Sequence, residues 1–295
     1  METTKDTNVS ESTGQGLGDR MKSYEGQFTT RLDPKKPFAI RLDGHKFSSF
    51  TRPFKKPYDE RIYNAMLGTA IDLMNEFNGA TTVYTCSDEI TMVYPALVST
   101  DTSTTNNNEK SSNQEPQLMF GGKIPKIISL TAAYATMCFN RHLAKQTFDP
   151  ETEAKLIEHI EKSKIYFDSR VFHVPENSEL VNNLVWRCHY DCRRNSVSML
   201  AQKHFSHKSL QGLNREQLLE KMLAANISWD DMPGPFKWGS FIKKEKYEID
   251  ATDDKGNPVK ALRTRPVVRH FDMANCSDEN VEFVIVKYLT ASPSS

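Results

Sequence analysis

The chain predicts an α+β fold, a β-sheet packed by helices, and three observations carry that prediction. Thr81–Tyr84 and Glu89–Tyr94 are two short runs rich in β-branched and aromatic residues with a turn between them, the pattern of paired strands. Ile62, Ala65, Met66, Thr69, Ala70, Leu73 and Phe77 recur at helical spacing just before them. A length of 295 residues with 38% hydrophobic content is enough to bury a full-sized core.

Taken in order, Phe38–Leu42 is the first strand, followed by a loop and a helix over Asp59–Phe77. Asp59, coming after Pro57 and before the apolar run, is an N-terminal capping signal. After the hairpin at 81–94, Ile127–Leu130 is expected as a strand running into a helix through Tyr134, Met137, Cys138 and His142. Glu151–Lys164 is expected to be helical and Ser169–His173 a short strand. Asn182–Phe205 carries a long helical pattern and Asn214–Ala224 a shorter one. Pro235–Ile249 alternates as a strand does, with Val267 and Val268 in another short strand.

Two stretches fall outside this patterning. Residues 1–18 are a polar tail expected to be disordered, and Ser99–Gln117 is a Ser/Thr/Asn-rich insert expected as a surface loop between strands. The tail has the character of neither a signal peptide nor an Arg-rich presequence, and no apolar run reaches transmembrane length, so a cytoplasmic location without membrane association is expected. Thirty-eight basic and 38 acidic side chains cancel, which leaves open an RNA partner met by one basic face. The five cysteines, an odd number, are expected as reduced thiols; Cys188 and Cys192 read as a thiol pair, since no second Cys/His pair completes a zinc site.

The chemistry is carried by acids. Asp43 ends the first strand with Gly44 directly after it, and Asp88 and Glu89 occupy the turn of the hairpin. If these strands are neighbours, Asp43 and Asp88 converge at the sheet edge. Carboxylates so placed repel one another, and two divalent ions about 4 Å apart would neutralise them. Oxygen-only ligands without a nearby His/Cys set favour Mg²⁺, and two such ions held by acids from different strands suit phosphoryl or nucleotidyl transfer. Gly44 is expected to let the backbone turn tightly, presenting N–H groups from His45 to Ser48 to an anion. Lys46, Arg52, Lys55 and Lys56 follow, either as a solvated charged face or as partners of a phosphate.

The ordered motifs RLDGHKFSSFTRPFKKPYDERI, YTCSDEITMVY, KIISLTAAYATMCFN, VFHVPENSELVNNLVWRCHYDCRRNSVSMLAQKHFS and PGPFKWGSFIKKEKY, spanning about Met21 to Tyr247, resemble the tRNA-histidine guanylyltransferase superfamily. The histidine-specific branch carries His-Ile-Asn-Asn-Leu-Tyr-Asn where this chain has His189-Tyr190-Asp191-Cys192-Arg193-Arg194-Asn195, a replacement similar to the Thg1-like branch. The resemblance implies a polymerase-palm-like, ferredoxin-like antiparallel sheet over residues 19–180, interrupted by the insert at 99–117, with a helical and β region at 181–295 packed on it. It implies template-directed 3′→5′ addition of nucleotides to the 5′ end of truncated tRNA after ATP-dependent activation, with single-guanylate addition to tRNA-His as the alternative.

By the same resemblance, Asp43, Asp88 and the Gly44 carbonyl would bind two Mg²⁺, with Glu89 in support. The backbone from His45 through Lys46 and Phe47 to Ser48, together with Ser87 and Lys56, would hold the triphosphate of ATP, GTP or another NTP. His189 and Asn195 would lie near the nucleotide or the RNA 5′ end, where Arg193 and Arg194 are candidates for phosphate contacts. A homotetramer is the implied assembly.

Other features are weaker. His204 and His207 read as a surface cluster at a helix end. Trp186, Trp229 and Trp238 read as core or interface aromatics, with base stacking open to one of them. Lys255–Pro266 is basic and reads as an exposed hairpin or loop. A scaffold protein with a relic site is the reading from a different class, and intact Asp43, Asp88 and Glu89 speak against it.

Overall fold

The structure, a computed structural model, describes residues 16–96, 118–253 and 256–290. The insert at 99–117 and the tail up to residue 15 lie outside the described residues. Leu17 and Gly18, expected in the tail, instead open α1 (Leu17–Gly26), a helix with no buried residue.

Strand β1 (Phe38–Gly44) leads through a short turn of helix α2 (Phe47–Phe50) into α3 (Glu60–Glu76), followed by the hairpin β2 (Thr82–Cys86) and β3 (Glu89–Tyr94). A 3₁₀ turn at Met119–Gly122 precedes α4 (Ile124–Ala144), α5 (Ala154–Lys162) and β4 (Phe167–His173). Then come α6 (Asn177–Val185), a π-helical segment Trp186–Cys192 and α7 (Arg193–His204), continuous in axis. The C-terminal part holds α8 (His207–Leu210), α9 (Arg215–Ala224), α10 (Gly234–Trp238), the long strands β5 (Ser240–Thr252) and β6 (Pro258–Arg269), α11 (Asp278–Ile285) and β7 (Tyr288–Thr290).

The sheet order is β4-β1-β3-β2-β5-β6, with β7 also on β5. Every pairing is antiparallel except that of β5 with β7. Alternation along the strands separates two faces. Phe38, Ile40, Leu42, Val83, Ile90 and Met92 face α3 and α4, meeting Met66, Leu73, Ile127 and Phe139 in an apolar core. Ala39, Tyr84, Val93 and Phe241 face the other way, onto Leu180, Val181 and Leu184 of α6 and Val284 of α11. Toward the end of β1 this second face changes character: Arg41 and Asp43 replace the apolar residues.

Helix α3 forms as the spacing predicts, with Asp59 accepting from the Arg61 N–H as its N-cap. Asn214 caps α9 with a full capping box to Gln217. Two expected strands are helix. Ile127–Leu130 lies inside α4, which starts at Ile124 with Pro125 in its first turn, and Ile127 packs under the sheet rather than pairing in it. Pro235–Trp238 forms α10, stopped by Gly239 at φ 70°, so β5 begins only at Ser240. Val267 and Val268 belong to a strand of 12 residues, longer than expected, because β6 pairs with β5 along its whole length.

Candidate active site

The carboxylates meet as the strand order requires. In the β1–β3 ladder Asp43 stands opposite Glu89, and the Gly44 N–H donates to the Asp88 carbonyl over 3.1 Å. A Cβ on Gly44 would lie 2.8 Å from the Phe47 ring and 3.1 Å from the Asp88 Cβ. Glycine is therefore required by close approach. The tight turn expected at Gly44 is made two residues later, by Lys46 at φ 52°, and Ser87 at φ 55° makes the turn between β2 and β3. Both are non-glycine residues in the left-handed region, a strain that clusters at functional sites.

Of the backbone expected to present N–H groups, His45 is already engaged: its N–H donates to the Tyr166 carbonyl over 2.9 Å. Lys46, Phe47 and Ser48 contribute the first N–H groups of α2, which have no intrahelical partner.

A cavity of about 540 Å³ opens here, within the range of small-molecule sites. Ser48, Lys55, Lys56, Asp59, Ser87, Asp88 and, from α7, Asn195 and Met199 are among its lining residues. Lys46 and Arg52, expected beside them, do not line it. Burial pulls the Lys56 ammonium below its ordinary value, against the pull of Asp59.

Asp88 is held above the usual carboxylate range, first by burial and then by the charge of Asp43; its own backbone N–H, the Ser87 hydroxyl and Arg41 only partly offset this. Glu89 is pushed up by burial, against Arg187 and Arg41. Arg41 bridges Asp43, at 3.1 Å, and Glu89. Arg187, from the π-helical segment, reaches Glu89 and Asp191, each at 3.1 Å, and Asp191 also pairs with Arg194. Glu89 is thus committed to two guanidiniums and Asp43 to one, while Asp88 has no ion pair among the described residues and its carboxyl stays raised by burial and by Asp43.

That donor set, all oxygen with no soft ligand, fits a hard divalent cation. Among the described residues, no group of three or more His, Cys, Asp or Glu forms a closed metal cage. A cation here would complete its shell with phosphate and water, as Mg²⁺ commonly does.

The segment 189–195 is split. His189 Nδ1 sits 2.8 Å from Asp272, and Asn195 lines the cavity. Arg193 lies with its guanidinium 5.6 Å from the ring centres of both Trp229 and Trp238 and does not line the cavity, whereas Arg194 is exposed beside Asp191. Arg41 and Arg187 were not singled out by sequence. The i,i+4 spacing of Arg187 and Asp191 was available as a signal. The cysteines are all free thiols. No helix among the described residues is long and apolar enough to cross a membrane.

With a two-faced antiparallel sheet and paired carboxylates beside a cavity, the site has the form expected of a nucleotidyltransferase. The tRNAHis guanylyltransferase (Thg1) family matches residues 18–175, and the chain belongs to that family of nucleotidyltransferases. It is 35% identical over 247 residues to uncharacterized protein R259 of Acanthamoeba polyphaga mimivirus, covering 82% of each chain. It is 25% identical over 251 residues to tRNA(His) guanylyltransferase 2 of Arabidopsis thaliana, spanning 81% of this chain but 41% of that protein. Among solved structures, a bacterial tRNA(His) guanylyltransferase (Thg1)-like protein in complex with ATP superposes with a TM-score of 0.69 at 30% identity, covering 92% of this chain and 100% of that one. A bacterial Thg1-like protein in complex with GTP gives 0.64 at 27% identity, covering 91% and 98%.

Proposed function

We propose that this protein is a template-dependent 3′→5′ nucleotidyltransferase that adds nucleotides to the 5′ end of truncated tRNA after ATP-dependent activation of the 5′-monophosphate. The observation that carries the reading is the meeting of Asp43 and Asp88, with Asp88 held above the usual carboxylate range by burial and by Asp43, beside the 540 Å³ cavity. The Thg1-like relatives solved with ATP and with GTP support a triphosphate as the cavity's occupant.

Asp43, Asp88 and the Gly44 carbonyl hold two Mg²⁺ in this reading. When bound, the ions supply Lewis-acid stabilisation of the transferred phosphoryl group and acidify the attacking hydroxyl. Lys56 and the hydroxyls of Ser48 and Ser87 hold the triphosphate, helped by the N–H groups of Lys46, Phe47 and Ser48. Glu89 acts through Arg41: the guanidinium it fixes holds the Asp43 carboxylate in place. Asn195 faces the nucleotide from α7. Template choice comes from base pairing with the opposite strand of the acceptor stem, so the protein reads no base itself.

Repair is favoured over guanylylation by the segment at 189–195. The asparagine pair of the histidine-specific motif is replaced there by Asp191, occupied by Arg187 and Arg194, and by Cys192, buried with its thiol 3.5 Å from the Lys237 carbonyl. The reading brings with it a cytoplasmic homotetramer, with catalysis in residues 19–180 and the region 181–295 packed on that domain.

The test is extension of a 5′-truncated tRNA transcript with ATP, all four NTPs and Mg²⁺, run beside Asp88→Ala. Extension that follows the opposite strand, stops at a complete acceptor stem and disappears in the variant is the expected result. A single guanylate added only to tRNA-His, whatever the opposite base, would replace repair with guanylylation. No addition to any RNA, with RNA binding retained, would leave a scaffold.

A further inference from the structure

Of the three tryptophans, Trp229 is buried, at 5% exposure, and hydrogen-bonds to Ser196. Trp238 packs edge-on against it. Trp186 is not a core residue, which leaves the interface and base-stacking readings for it: it is 50% exposed and stacks on Tyr190, itself 49% exposed, with ring centres 5.7 Å apart and planes within 27°. The edge of His189 abuts Tyr190 at 4.9 Å, and His189 is fixed by Asp272. Two large aromatic rings thus stand in solvent, braced by a third.

We propose that Trp186 and Tyr190 form a stacking platform for a nucleobase at the 5′ end of the RNA substrate, outside the triphosphate cavity. This rests on the reading given under Proposed function and adds to it the place where the RNA end is held.

Three observations choose this occupant. First, the stack is continuous with the catalytic cluster: Arg187, next to Trp186, reaches Glu89, which stands across the ladder from Asp43. Second, neither Trp186 nor Tyr190 lines the cavity, whose α7 wall is Asn195, Ser196, Met199, Gln202 and Lys203, so the incoming nucleotide leaves their exposed faces free. Third, the surroundings are polar. Asn182 lies one turn before Trp186, and Asp191 and Arg194 lie beside and one turn beyond Tyr190. A second copy of the chain needs a broad apolar patch; a nucleobase needs only a ring face, and each base has one. The π-helical geometry of residues 186–192 is itself a feature enriched at functional sites.

The probe is a 5′-truncated tRNA transcript with 2-aminopurine as its terminal nucleotide, whose fluorescence is quenched on stacking. Wild type and Trp186→Phe are expected to quench it. Trp186→Ala and Tyr190→Ala are expected to lose most of the quenching and to raise the KM for RNA in extension about 10-fold, with the KM for NTP and kcat unchanged. Equal quenching and equal RNA KM in all four proteins would overturn the platform. So would a smaller assembly on sedimentation of Trp186→Ala with the RNA signal intact, which would give this face to a second copy. The two readings fail separately: quenching by a wild type that extends no RNA keeps the platform and removes the polymerase, whereas normal extension by a wild type that leaves the probe unquenched removes the platform alone.

Discussion

Two aspartates line the same cavity and are treated in opposite ways. Asp59 accepts from the N–H groups of Lys55, at 3.1 Å, and Arg61, at 3.0 Å, and takes two further bonds from the Arg61 guanidinium, at 3.0 and 2.9 Å. Burial pushes its carboxyl up, but those hydrogen bonds outweigh it and hold the group below the ordinary range. Asp88 is pushed up by the same burial and by Asp43, without comparable donors. The fold has completed the electrostatics of Asp59, and helix α3 starts there. At Asp88 it leaves a deficit that, in the proposed reading, a ligand cation would remove, with local stability given up to pre-organise that site.

The comparison breaks most readily at Asp88. Replacing it with alanine is expected to lower nucleotide addition about a thousand-fold, equivalent to about 4 kcal/mol, measured as single-turnover extension. Gly44→Ala keeps every carboxylate but forces the new methyl against Phe47 and Asp88. A displaced Asp88 is expected to cost about a hundred-fold in the same assay, because misplacement by about 1 Å has that effect.

On the other wall the effects fall on stability. Asp59→Ala removes a helix cap and should lower unfolding stability by about 2 kcal/mol in urea titrations. The sign with pH follows from the lowered carboxyl. Asp59 stabilises the fold above its unfolded value, and that stabilisation is lost as pH falls through the folded value. The gap between wild type and variant should therefore close in acid.

An effect of similar size, spread over two pH units, is expected at Lys243. Burial pulls its ammonium down to about 7, and Nζ donates to the Thr81 carbonyl at 2.7 Å, the Thr82 hydroxyl at 3.1 Å and the Val286 carbonyl after α11. Above pH 7 the unfolded chain binds the extra proton, so wild type should gain about 1 kcal/mol per pH unit between pH 7 and 9 relative to Lys243→Met. A flat difference would mean the lysine stays charged.

How much was legible in the sequence follows the range of the forces. The hairpin around Ser87, the cap at Asp59 and the convergence of Asp43 with Asp88 are local or follow from strand adjacency, and they were readable. The Ile127–Leu130 stretch has the composition of a strand, but Pro125 and the long apolar stripe beyond make it the first turns of α4. Pro235–Trp238 alternates as a strand does, yet packs Phe236 under α7 as a turn of helix. The commitment of Glu89 to Arg41 and Arg187 depends on a helix about a hundred residues away in sequence lying across the sheet end. No local pattern reports that, nor which of three tryptophans is left in solvent.

The central claim is that Asp43 and Asp88 repel each other until a cation and a triphosphate bind. Thermal unfolding of wild type and Asp88→Asn, each with and without Mg²⁺ and ATP, tests it most directly. Because Asp88 is held above its unfolded value, its ionised form costs stability at neutral pH, and that cost disappears as pH falls through the folded value. Asp88→Asn is therefore expected to melt higher than wild type without ligand and to be raised little by Mg²⁺ and ATP, while wild type is raised strongly by the two together. An apo variant that melts lower than wild type, or is raised as much by Mg²⁺ and ATP, would contradict the account.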